Sequence, residues 1–514
     1  MIVGAGIAGL VAAVELSARG LPVTVVERAA TPGGKLRELD VGGARIDAGP
    51  TVLTQRAVFD AVFSAGGSTL ERELTLTPAA VLARHAWGPE ARLDLHADVE
   101  RSAAAIGEFA GARDAREFRD FTARAQRVYA ALEAPFLHAS TPRLTALIRH
   151  AGARGLPTLA AITPFRPLWG ALGAHFRHPL LRQLYARYAT YCGSSPFAAP
   201  ATLMLIAHVE QSGVWLVEGG MYRLARALEA LALQNGAEFR YRSCARDLGL
   251  RHGRIERVVL TDAEPLRARH VIVASDLVGA AGGALGPALA ALVPRVVPAR
   301  RSLSALTFAL RANAAGFPLA RHTVFFSGDY RAEFDDLFRR RTLPRAPTVY
   351  VCAQDRDSAG GGAPATERLL VIVNAPPNGD THSYSHAEVE PCASEVSRLL
   401  RHAGLALGTA ASVTTTPRDF ERLFPRTGGA LYGAATHGWR ASFRRQGAVG
   451  PIPGLYFAGG SAHPGPGLPM AALSGRHAAA AVLAASASTQ PSRRAATPGG
   501  TSTPSARTVS MRSR

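Results

Sequence analysis

The stretch that decides the fold lies at the start of the chain, where residues 2–27 read IVGAGIAGLVAAVELSARGLPVTVVE. Two apolar residues lead into the pattern G-x-G-x-x-G, and apolar residues then recur at helical spacing up to Gly20. A short β-branched run follows and ends at Glu27. A strand, a glycine-rich turn, a helix and a second strand in this order form one βαβ unit. The sequence therefore predicts an α/β fold with a Rossmann-like nucleotide-binding domain.

Each glycine of the pattern has a physical task in such a unit. Gly4 allows the tight turn, Gly6 lets the backbone approach a pyrophosphate, and Gly9 allows the helix to pack closely. The helix N-terminus faces the phosphates. Glu27, 18 residues after Gly9, is placed to accept hydrogen bonds from a ribose. NAD and FAD both fit this unit, and a glycine-rich turn in a domain without ligand is the structural alternative.

Later segments have the same glycine-rich, apolar character. Residues 32–35 read PGGK shortly after Glu27, and residues 47–51 read DAGPT. Near the other end, residues 454–460 read GLYFAGG and predict a short buried strand that ends in glycines. Residues 468–475 read LPMAALSG and predict the start of a helix behind that strand. We expect these segments to complete the nucleotide site.

The nucleotide-binding domain is predicted to be discontinuous. A helix at 224–234 and strands near 244–250 and 255–260 lead to the apolar run HVIVASD at 270–276, which is typical of the middle of such a domain. Strand-like runs at 304–311, 323–327, 348–353 and 369–374 predict a further sheet. We expect three nucleotide-binding segments (1–73, 212–284 and 421–485), a mostly helical region (74–211) after the first, an α+β substrate domain (285–420) after the second, and a disordered basic tail (486–514).

Composition argues against several classes of function. Basic residues number 58 and acidic residues 39, a formal charge of +19. Lys35 is the sole lysine, so the excess is almost entirely arginine, a bias typical of GC-rich coding. We therefore predict no nucleic-acid partner. The four cysteines lie far apart without a C-x-x-C pair, which argues against a disulfide framework, a zinc or other metal site, and a dithiol redox centre.

The ends of the chain and its longest uncharged stretch bear on location. The chain opens directly into its first strand, so we predict no signal peptide and a cytoplasmic location. Residues 449–475 carry no charged side chain, but five prolines interrupt them, and no transmembrane helix is expected there. Residues 486–514 are rich in Ser, Thr, Pro and Gly with five arginines and no acid, a composition typical of a disordered tail.

A long acid-free segment suggests contact with a membrane. Residues 134–209 contain seven arginines and five histidines but no acid in 76 residues. Residues 140–142 predict a helix cap, and the helix that follows, which ends near Gly152, has one apolar stripe of Leu144, Leu147 and Ile148. A second apolar stripe at 3.6-residue spacing contains Phe165, Leu168, Trp169, Leu172 and Phe176. Basic helices of this kind suit the anionic surface of a photosynthetic or plasma membrane. The alternative is that the stripes pack a core and the arginines are solvated.

With these residues in view, the chain is similar to flavoproteins of the amine-oxidase and carotenoid-desaturase superfamily. Over residues 1–485 it resembles the bacterial phytoene-desaturase-type family, and within it the 1-hydroxycarotenoid 3,4-desaturases, also called hydroxyneurosporene or methoxyneurosporene dehydrogenases. The phrases that carry this resemblance are DAGPTVLT at 47–54, RYATYCGSSP at 187–196, GVWLVEGGM at 213–221, ALYG at 430–433 with HGW at 437–439, and HPGPGLPMAALSG at 463–475.

The resemblance implies an amine-oxidase or glutathione-reductase-like fold and an FAD cofactor, with the PGGK turn against the FAD pyrophosphate. Gly460 stands where relatives often carry an acid, so no acid-to-flavin contact is expected at that position. The FAD-binding residues implied are Gly4, Gly6, Ile7, Ala8, Gly9, Glu27, Arg28, Gly33, Gly34, Lys35, Gly49, Pro50, Thr51, Ala245, Gly460, Leu468, Pro469 and Met470.

The reaction that the resemblance implies is the removal of hydrogen across C3 and C4 of an acyclic 1-hydroxy or 1-methoxy carotenoid. Hydride loss from C4 to flavin would leave a cation spread along the polyene, so no strong side-chain base is required. We therefore assign no catalytic residue. His437, His463 and Tyr191 are candidates for polar contacts or for structural hydrogen bonds. Quinone and oxygen both remain open as the final electron acceptor.

Other functions fit the same fold. A phytoene desaturase, a carotenoid isomerase and an amine oxidase would share these motifs, although no paired aromatic signature of an amine oxidase is evident. Prenyl-protein escort proteins share the nucleotide fold without using flavin, which leaves a lipid-escort function as the non-enzyme alternative. Bound flavin and product analysis separate these possibilities.

Overall fold

The centre of the nucleotide domain is a parallel sheet of five strands. The structure is a computed structural model that describes residues 1–150, 165–357 and 361–488. In spatial order, the strands of this sheet are Glu238–Arg240, Thr24–Val26, Ile2–Val3, Val271–Val273 and Leu455–Phe457. The sheet therefore draws strands from three separated stretches of sequence.

Side-chain alternation decides what covers each face of this sheet. Ile2, Val25 and Ile272 point toward one core, which three helices close. Their neighbours Val3 and Val26 point the opposite way, toward a second core. The three helices are Ile7–Ser17, Tyr222–Gln234 and Leu468–Ser488. The predicted helices and strands of the βαβ unit, and the predicted closing strand and helix, are confirmed.

The second core lies under a three-stranded antiparallel sheet. Its strands are Ala245–Arg251, Arg254–Leu260 and Leu266–Arg267. The helices Leu277–Ala281 and Gly286–Ala290 continue from this layer. Leu248 and Val258 pack there against strands of the parallel sheet. The strands predicted near 244–250 and 255–260 thus form a separate layer beside the nucleotide sheet.

A seven-stranded sheet forms the substrate domain. In spatial order its strands are Ala406–Thr415, Ser304–Ala315, Glu367–Ala375, Val349–Ala353, His322–Phe325, Val81–Trp87 and Ala91–His96. Helix His386–His402 covers one face through Cys392, Val396 and Leu400. The opposite face is turned toward the nucleotide domain. The four strand-like runs predicted between 304 and 374 are confirmed.

The described part of 74–211 is mostly helical, as expected, but the hairpin Val81–Trp87 and Ala91–His96 within it was not predicted. Its first strand pairs in parallel with His322–Phe325, far along the chain. Arg84 and Asp94, which face each other across the hairpin, form an ion pair at 2.6 Å. Polar residues interrupt the apolar alternation in the sequence and hide the strand pattern. The strand itself is stabilised by pairing with His322–Phe325, which is distant in the sequence.

A helical lobe follows the hairpin. Its helices are Val99–Ala110, Ala112–Leu132, residues 144–150, Leu168–Leu172, Pro179–Ala186 and Leu205–Gln211. Phe118, Phe121 and Tyr185 form its aromatic centre. The remaining helices are Arg56–Ala65, Leu70–Glu73, Tyr330–Asp335 and Pro417–Leu423, with tighter or wider helical turns at Glu133–Leu137, Arg187–Cys192, Ala201–Met204, Pro298–Arg300, Asp336–Arg340 and Ser442–Arg444.

The second apolar stripe of the acid-free segment is a core feature. Leu168 and Leu172 are fully buried, and Phe176 is 1% exposed. Their assignment to a lipid-facing surface is therefore wrong, because all three belong to the core of the lobe, where Phe176 packs against Phe121 and Tyr185. Phe165, at the head of the same stripe, is 74% exposed. Gly152 and the tail residues 489–514 lie outside the described residues.

Two small sheets connect these domains. The hairpin strands are Glu38–Val41 and Ala44–Asp47, and a three-stranded sheet contains Leu53–Thr54, Val214–Val217 and Leu76–Pro78. Asp47 accepts hydrogen bonds from the backbone N–H groups of Met221 at 2.6 Å and Tyr222 at 3.1 Å. Within the described ranges, no helix combines the length and apolar character needed to cross a bilayer.

Candidate active site

One continuous cavity of about 1720 Å³ runs between the nucleotide domain, the seven-stranded sheet and the helical lobe. Ordinary ligand pockets measure ~300–1,000 Å³, so this cavity has room for two large ligands. At one end it is lined by Gly6 and Glu27, and at the other by Leu144 and Phe165. The chemistry of its two ends differs accordingly.

The glycine turn forms an open cradle at the first end. Gly4 has φ +106°, a conformation that side chains rarely adopt. A Cβ atom on Gly6 would meet no atom within 4 Å, so the backbone there faces the open cavity. Gly34 lies directly behind, because its own Cβ would approach the Gly6 Cα atom to 3.2 Å. The PGGK turn therefore packs against the G-x-G turn.

Glu27 ends the second strand at the edge of this cradle. Its carboxylate oxygens accept hydrogen bonds from the backbone N–H groups of Ala5 and Ala29, each at 2.8 Å. The side chain lines the cavity, and a carboxylate has about four lone-pair sites. The two backbone bonds hold the carboxylate in place and leave acceptor sites for hydroxyl groups of a ribose.

Lys35 joins separated segments of the nucleotide domain. Its Nζ atom donates to Asp276 Oδ2 at 2.9 Å and to the carbonyl oxygen of Leu431 at 2.6 Å. Asp276 in turn accepts from the N–H of Val278 and caps the helix that follows. The side chain is therefore held by two other segments of the chain at the wall of the cavity.

The cradle fits a dinucleotide. The free N–H groups at the start of helix Ile7–Ser17 point at the space above Gly6. Ser275 contributes a buried hydroxyl that lines the same cavity and has no hydrogen-bond partner within the described part of the chain. An open Cβ position, unpaired donors and a fixed carboxylate are the features that phosphate and ribose groups require.

The structure brings nearly all predicted cofactor residues to this cavity. Gly9 differs, because a Cβ on it would lie 2.0 Å from the carbonyl oxygen of Gly4, so its place is in the packing beneath the cradle. Those that line the cavity are Gly4, Gly6, Ile7, Ala8, Glu27, Arg28, Gly33, Gly34, Lys35, Gly49, Pro50, Thr51, Ala245, Gly460, Leu468, Pro469 and Met470. Their individual contacts with FAD remain predictions.

The predicted FAD-binding turn at 47–51 is connected to the substrate sheet. Thr51 Oγ1 lies 2.7 Å from Tyr350 Oη, and Tyr350 Oη lies 2.7 Å from His322 Nδ1. Burial, together with the charge of the neighbouring Arg321, lowers the pKa of His322 to about 3, so the ring is neutral. Its Nε2 atom lines the cavity without a partner among the described residues.

A buried polar cluster in the cavity wall joins Tyr191, a predicted candidate for a polar contact, to residues without a predicted role. Arg187 donates to Tyr191 Oη at 2.9 Å, and Tyr191 donates to Glu210 Oε1 at 3.1 Å. Tyr188 makes a short hydrogen bond to the other carboxylate oxygen of Glu210. One signal was present, because Glu210 is the first acid after the 76 acid-free residues.

A second polar group lies where the sheet meets helix Tyr330–Asp335. Glu333 accepts from Thr348 Oγ1 at 2.7 Å and, more weakly, from Asn374 Nδ2 at 3.4 Å. Burial raises the pKa of Glu333 to about 7, against the opposing effect of these bonds. Tyr330 Oη is buried at the cavity without a partner in the described chain.

The two histidine candidates have structural roles. His437 Nε2 accepts from the backbone N–H of Ser195 at 3.0 Å, and His463 Nε2 lies 2.8 Å from the carbonyl oxygen of Phe136. Burial lowers the pKa of each to about 4. Tyr191 is the candidate that lines the cavity. Among the described residues, no group of His, Cys, Asp or Glu is arranged to hold a metal ion.

The far end of the cavity reaches the surface through apolar side chains. Leu144, Ile148 and Phe165 line the cavity and are 41%, 47% and 74% exposed. Trp439 packs against Phe165 at a ring distance of 5.2 Å. We call these four residues the apolar mouth. Each of these residues is close in the sequence to an exposed arginine, and these arginines are Arg143, Arg149, Arg166 and Arg440.

Comparison with known proteins agrees with this geometry. A family model described as flavin-containing amine oxidoreductase matches residues 7–483. The hydroxyneurosporene desaturase of Rubrivivax gelatinosus is 52% identical, over 99% of this chain and 98% of the relative. The 1-hydroxycarotenoid 3,4-desaturase of a Flavobacterium species is 28% identical, over 93% of this chain and 97% of the relative.

Solved structures show the same fold at much lower sequence identity. An oxidoreductase from Methanosarcina mazei superposes with a TM-score of 0.57 at 15% identity, over 94% of this chain and 99% of that one. A likeness at this identity bears on architecture alone, and it agrees with the predicted amine-oxidase-like arrangement of a nucleotide domain beside a substrate domain.

Proposed function

The chain belongs to the family of flavin-containing amine oxidoreductases, and from that membership we propose that it is an FAD-dependent carotenoid desaturase. It introduces a C3–C4 double bond into acyclic carotenoids that carry a hydroxyl or methoxyl group on C1, as a step of carotenoid biosynthesis. The names of the relatives at 52% and 28% identity support this substrate class.

The observation that carries the proposal is a dinucleotide cradle joined to an apolar compartment in one cavity. Beyond Thr51 the wall is mainly aliphatic and aromatic, with a mouth of exposed apolar side chains; it includes Leu82, Leu132, Phe136, Leu137, Leu203 and Ile206. A polyene needs such a wall over most of its length, whereas a small charged amine does not. The cavity therefore favours a long hydrocarbon substrate.

FAD, when bound in the cradle, supplies the acceptor for the hydride that leaves C4. The residues of this chain bind the polyene, hold C4 in position and exclude water from the cavity. The proton leaves C3, and since the positive charge is shared along the polyene, a weak acceptor suffices.

Substrate delivery supports contact with a membrane. Forty carbons at ~0.8 kcal/mol each put transfer of the substrate through water at roughly 30 kcal/mol, so it must pass directly from bilayer to cavity. The apolar mouth, in an acid-free and arginine-rich region of the chain, supports docking on an anionic surface. The proposal places the protein on the cytoplasmic side of a photosynthetic or plasma membrane, where a quinone or oxygen reoxidises the flavin.

The test is competition between two substrates. Flavin-loaded protein in liposomes is given 1-hydroxyneurosporene and phytoene together. The products are separated by chromatography, and their masses are determined by mass spectrometry. Loss of two hydrogens across C3 and C4 of the hydroxylated substrate is expected. Repeated desaturation of phytoene would instead assign a phytoene desaturase, a change of geometry without loss of hydrogen would assign an isomerase, and a protein purified without flavin would favour lipid escort.

A further inference from the structure

Arg187 is the positively charged member of the buried polar cluster in the cavity wall. It begins the helical turn Arg187–Cys192 and lines the cavity. Its guanidinium lies over two aromatic rings, 5.0 Å from the centroid of Tyr191 and 5.4 Å from that of Tyr350. Stacking of this kind fixes the plane of the guanidinium group and therefore the directions of its N–H bonds.

The guanidinium has donors to spare. A guanidinium carries five N–H groups, and its one hydrogen bond among the described residues goes to Tyr191 Oη. The nearby wall provides aliphatic side chains, since Ile206 shares the helix face of Glu210 and Val209 also lines the cavity. Unused donors beside apolar neighbours are costly unless a ligand atom meets them.

Glu210 balances the charge of Arg187. Tyr191 connects the two groups by accepting from the arginine and donating to the carboxylate. Burial raises the pKa of Glu210, while the hydroxyl of Tyr188 and the charge of Arg187 act in the opposite direction. The cluster thus presents donors to the cavity without a net positive charge next to a polyene that loses hydride.

The position of the cluster relative to the cofactor turn suits the end of the substrate. Tyr350, whose ring lies against Arg187, is hydrogen-bonded to Thr51 in the predicted FAD-binding turn at 47–51. One tyrosine ring therefore separates the guanidinium from that turn. In the substrate, C1 and C4 are three bonds apart, so the group that holds the C1 oxygen must lie close to the flavin.

Resting on the proposed function, we infer that Arg187 donates a hydrogen bond to the oxygen on C1 of the substrate and so selects oxygenated end groups. An arginine can only donate, and both a hydroxyl and a methoxyl oxygen can accept. The same residue therefore accounts for recognition of both. Tyr191 and Glu210 act as positioning residues that hold the guanidinium.

The test compares substrate preference between wild type and Arg187→Met, which keeps side-chain length and removes every donor. Holoenzyme in liposomes is assayed with 1-hydroxyneurosporene, 1-methoxyneurosporene and neurosporene, and kcat and KM are determined separately. Wild type should prefer both oxygenated substrates over neurosporene by about ten- to a hundredfold in kcat/KM. In the variant this ratio should fall to near one.

Binding without turnover separates this inference from the proposed function. Dissociation constants of the three carotenoids are measured by quenching of flavin fluorescence in loaded protein. If wild type binds the oxygenated ends preferentially but does not desaturate them, the proposed reaction fails and the role of Arg187 stands. If wild type binds the hydroxylated carotenoid and rejects the methoxylated one, the substrate hydroxyl donates to Glu210, and the assignment to Arg187 is overturned.

Two further variants complete the design. Tyr191→Phe keeps the ring and removes the hydroxyl that holds Arg187, and it should lower the preference to an intermediate value. Arg182→Met is the matched control, because Arg182 stacks on Trp169 outside the cavity, and its preference should equal that of wild type. A wild-type preference in Arg187→Met overturns the inference. If that variant does not fold, a wild-type preference in Tyr191→Phe does so.

Discussion

Replacement of Gly6 by valine should separate cofactor binding from folding. Gly6 is the N-cap of helix Ile7–Ser17 with φ −70° and ψ 173°, a conformation open to any residue. Its Cβ would meet no protein atom within 4 Å. Replacing glycine by valine at the N-cap destabilises the helix by up to about 1 kcal/mol. Valine also reduces the conformational entropy of the unfolded chain, which offsets ~0.4–1 kcal/mol of this loss. The free energy of unfolding of the apoprotein should therefore barely change.

The effect on FAD binding should be much larger. A valine side chain at Gly6 would occupy the space in front of the helix N-terminus, where the pyrophosphate is expected. Each hydrogen bond to a charged group contributes about 1.5–3 kcal/mol, and the loss of two corresponds to roughly a hundred- to ten-thousandfold weaker binding. The purified variant should therefore be colourless.

The measurement pairs flavin content, from visible absorbance after gel filtration, with urea unfolding of the apoprotein. Gly328→Val is the matched control, since Gly328 also faces open space but lies outside the cavity, and it should keep its flavin. In Gly9→Ala the new Cβ would strike the Gly4 carbonyl, so the free energy of unfolding should fall by ~1–3 kcal/mol or more. This variant should lose its flavin as well. Stoichiometric flavin in Gly6→Val would refute the assignment of the cradle.

Replacement of Leu144, Ile148 and Phe165 by serine should weaken binding to anionic vesicles at least about tenfold without loss of flavin. Replacement of Leu233, which is 49% exposed, by serine should leave vesicle binding unchanged. Equal sedimentation of the two variants with vesicles would contradict docking through the apolar mouth. For Glu333, the pKa is raised from 4.5 unfolded to about 7 folded, so its contribution to stability is present below pH 4.5 and is lost as pH rises through 7, by up to about 3 kcal/mol. Glu333→Gln should reduce the change in the free energy of urea unfolding between pH 5 and 8. If the free energy of unfolding of the variant changes with pH as in wild type, other groups cause the pH dependence.

Local patterns in the sequence were sufficient to predict the nucleotide domain. The turn at Gly4, the helix after Gly6 and the strand before Glu27 are encoded within 26 consecutive residues, and the structure has them there. The closing strand Leu455–Phe457 and its helix were found in the same way. Such features follow from backbone conformation and from the spacing of apolar residues, which neighbouring residues determine.

The polar cluster could not be derived in this way. Arg187, Glu210 and Tyr350 lie on a helical turn, a helix and a strand, and they meet only after the lobe and the sheet have packed together. The phrase that begins at Arg187 was noticed for its resemblance to relatives, without a role for its side chain. Long-range pairing also explains the missed hairpin at Val81–Trp87, whose edge partner is more than 200 residues away.

The sequence by itself determined that the chain binds a nucleotide, that its sheet is parallel, and that residues 134–209 are basic and amphipathic. Tertiary structure alone decided which apolar side chains of that segment are buried and which are exposed. Leu168 and Phe165 belong to one stripe, yet the first is fully buried and the second is 74% exposed at the mouth of the cavity. Helical periodicity specifies that a face is apolar, but only the packing of distant elements determines whether protein or solvent meets it.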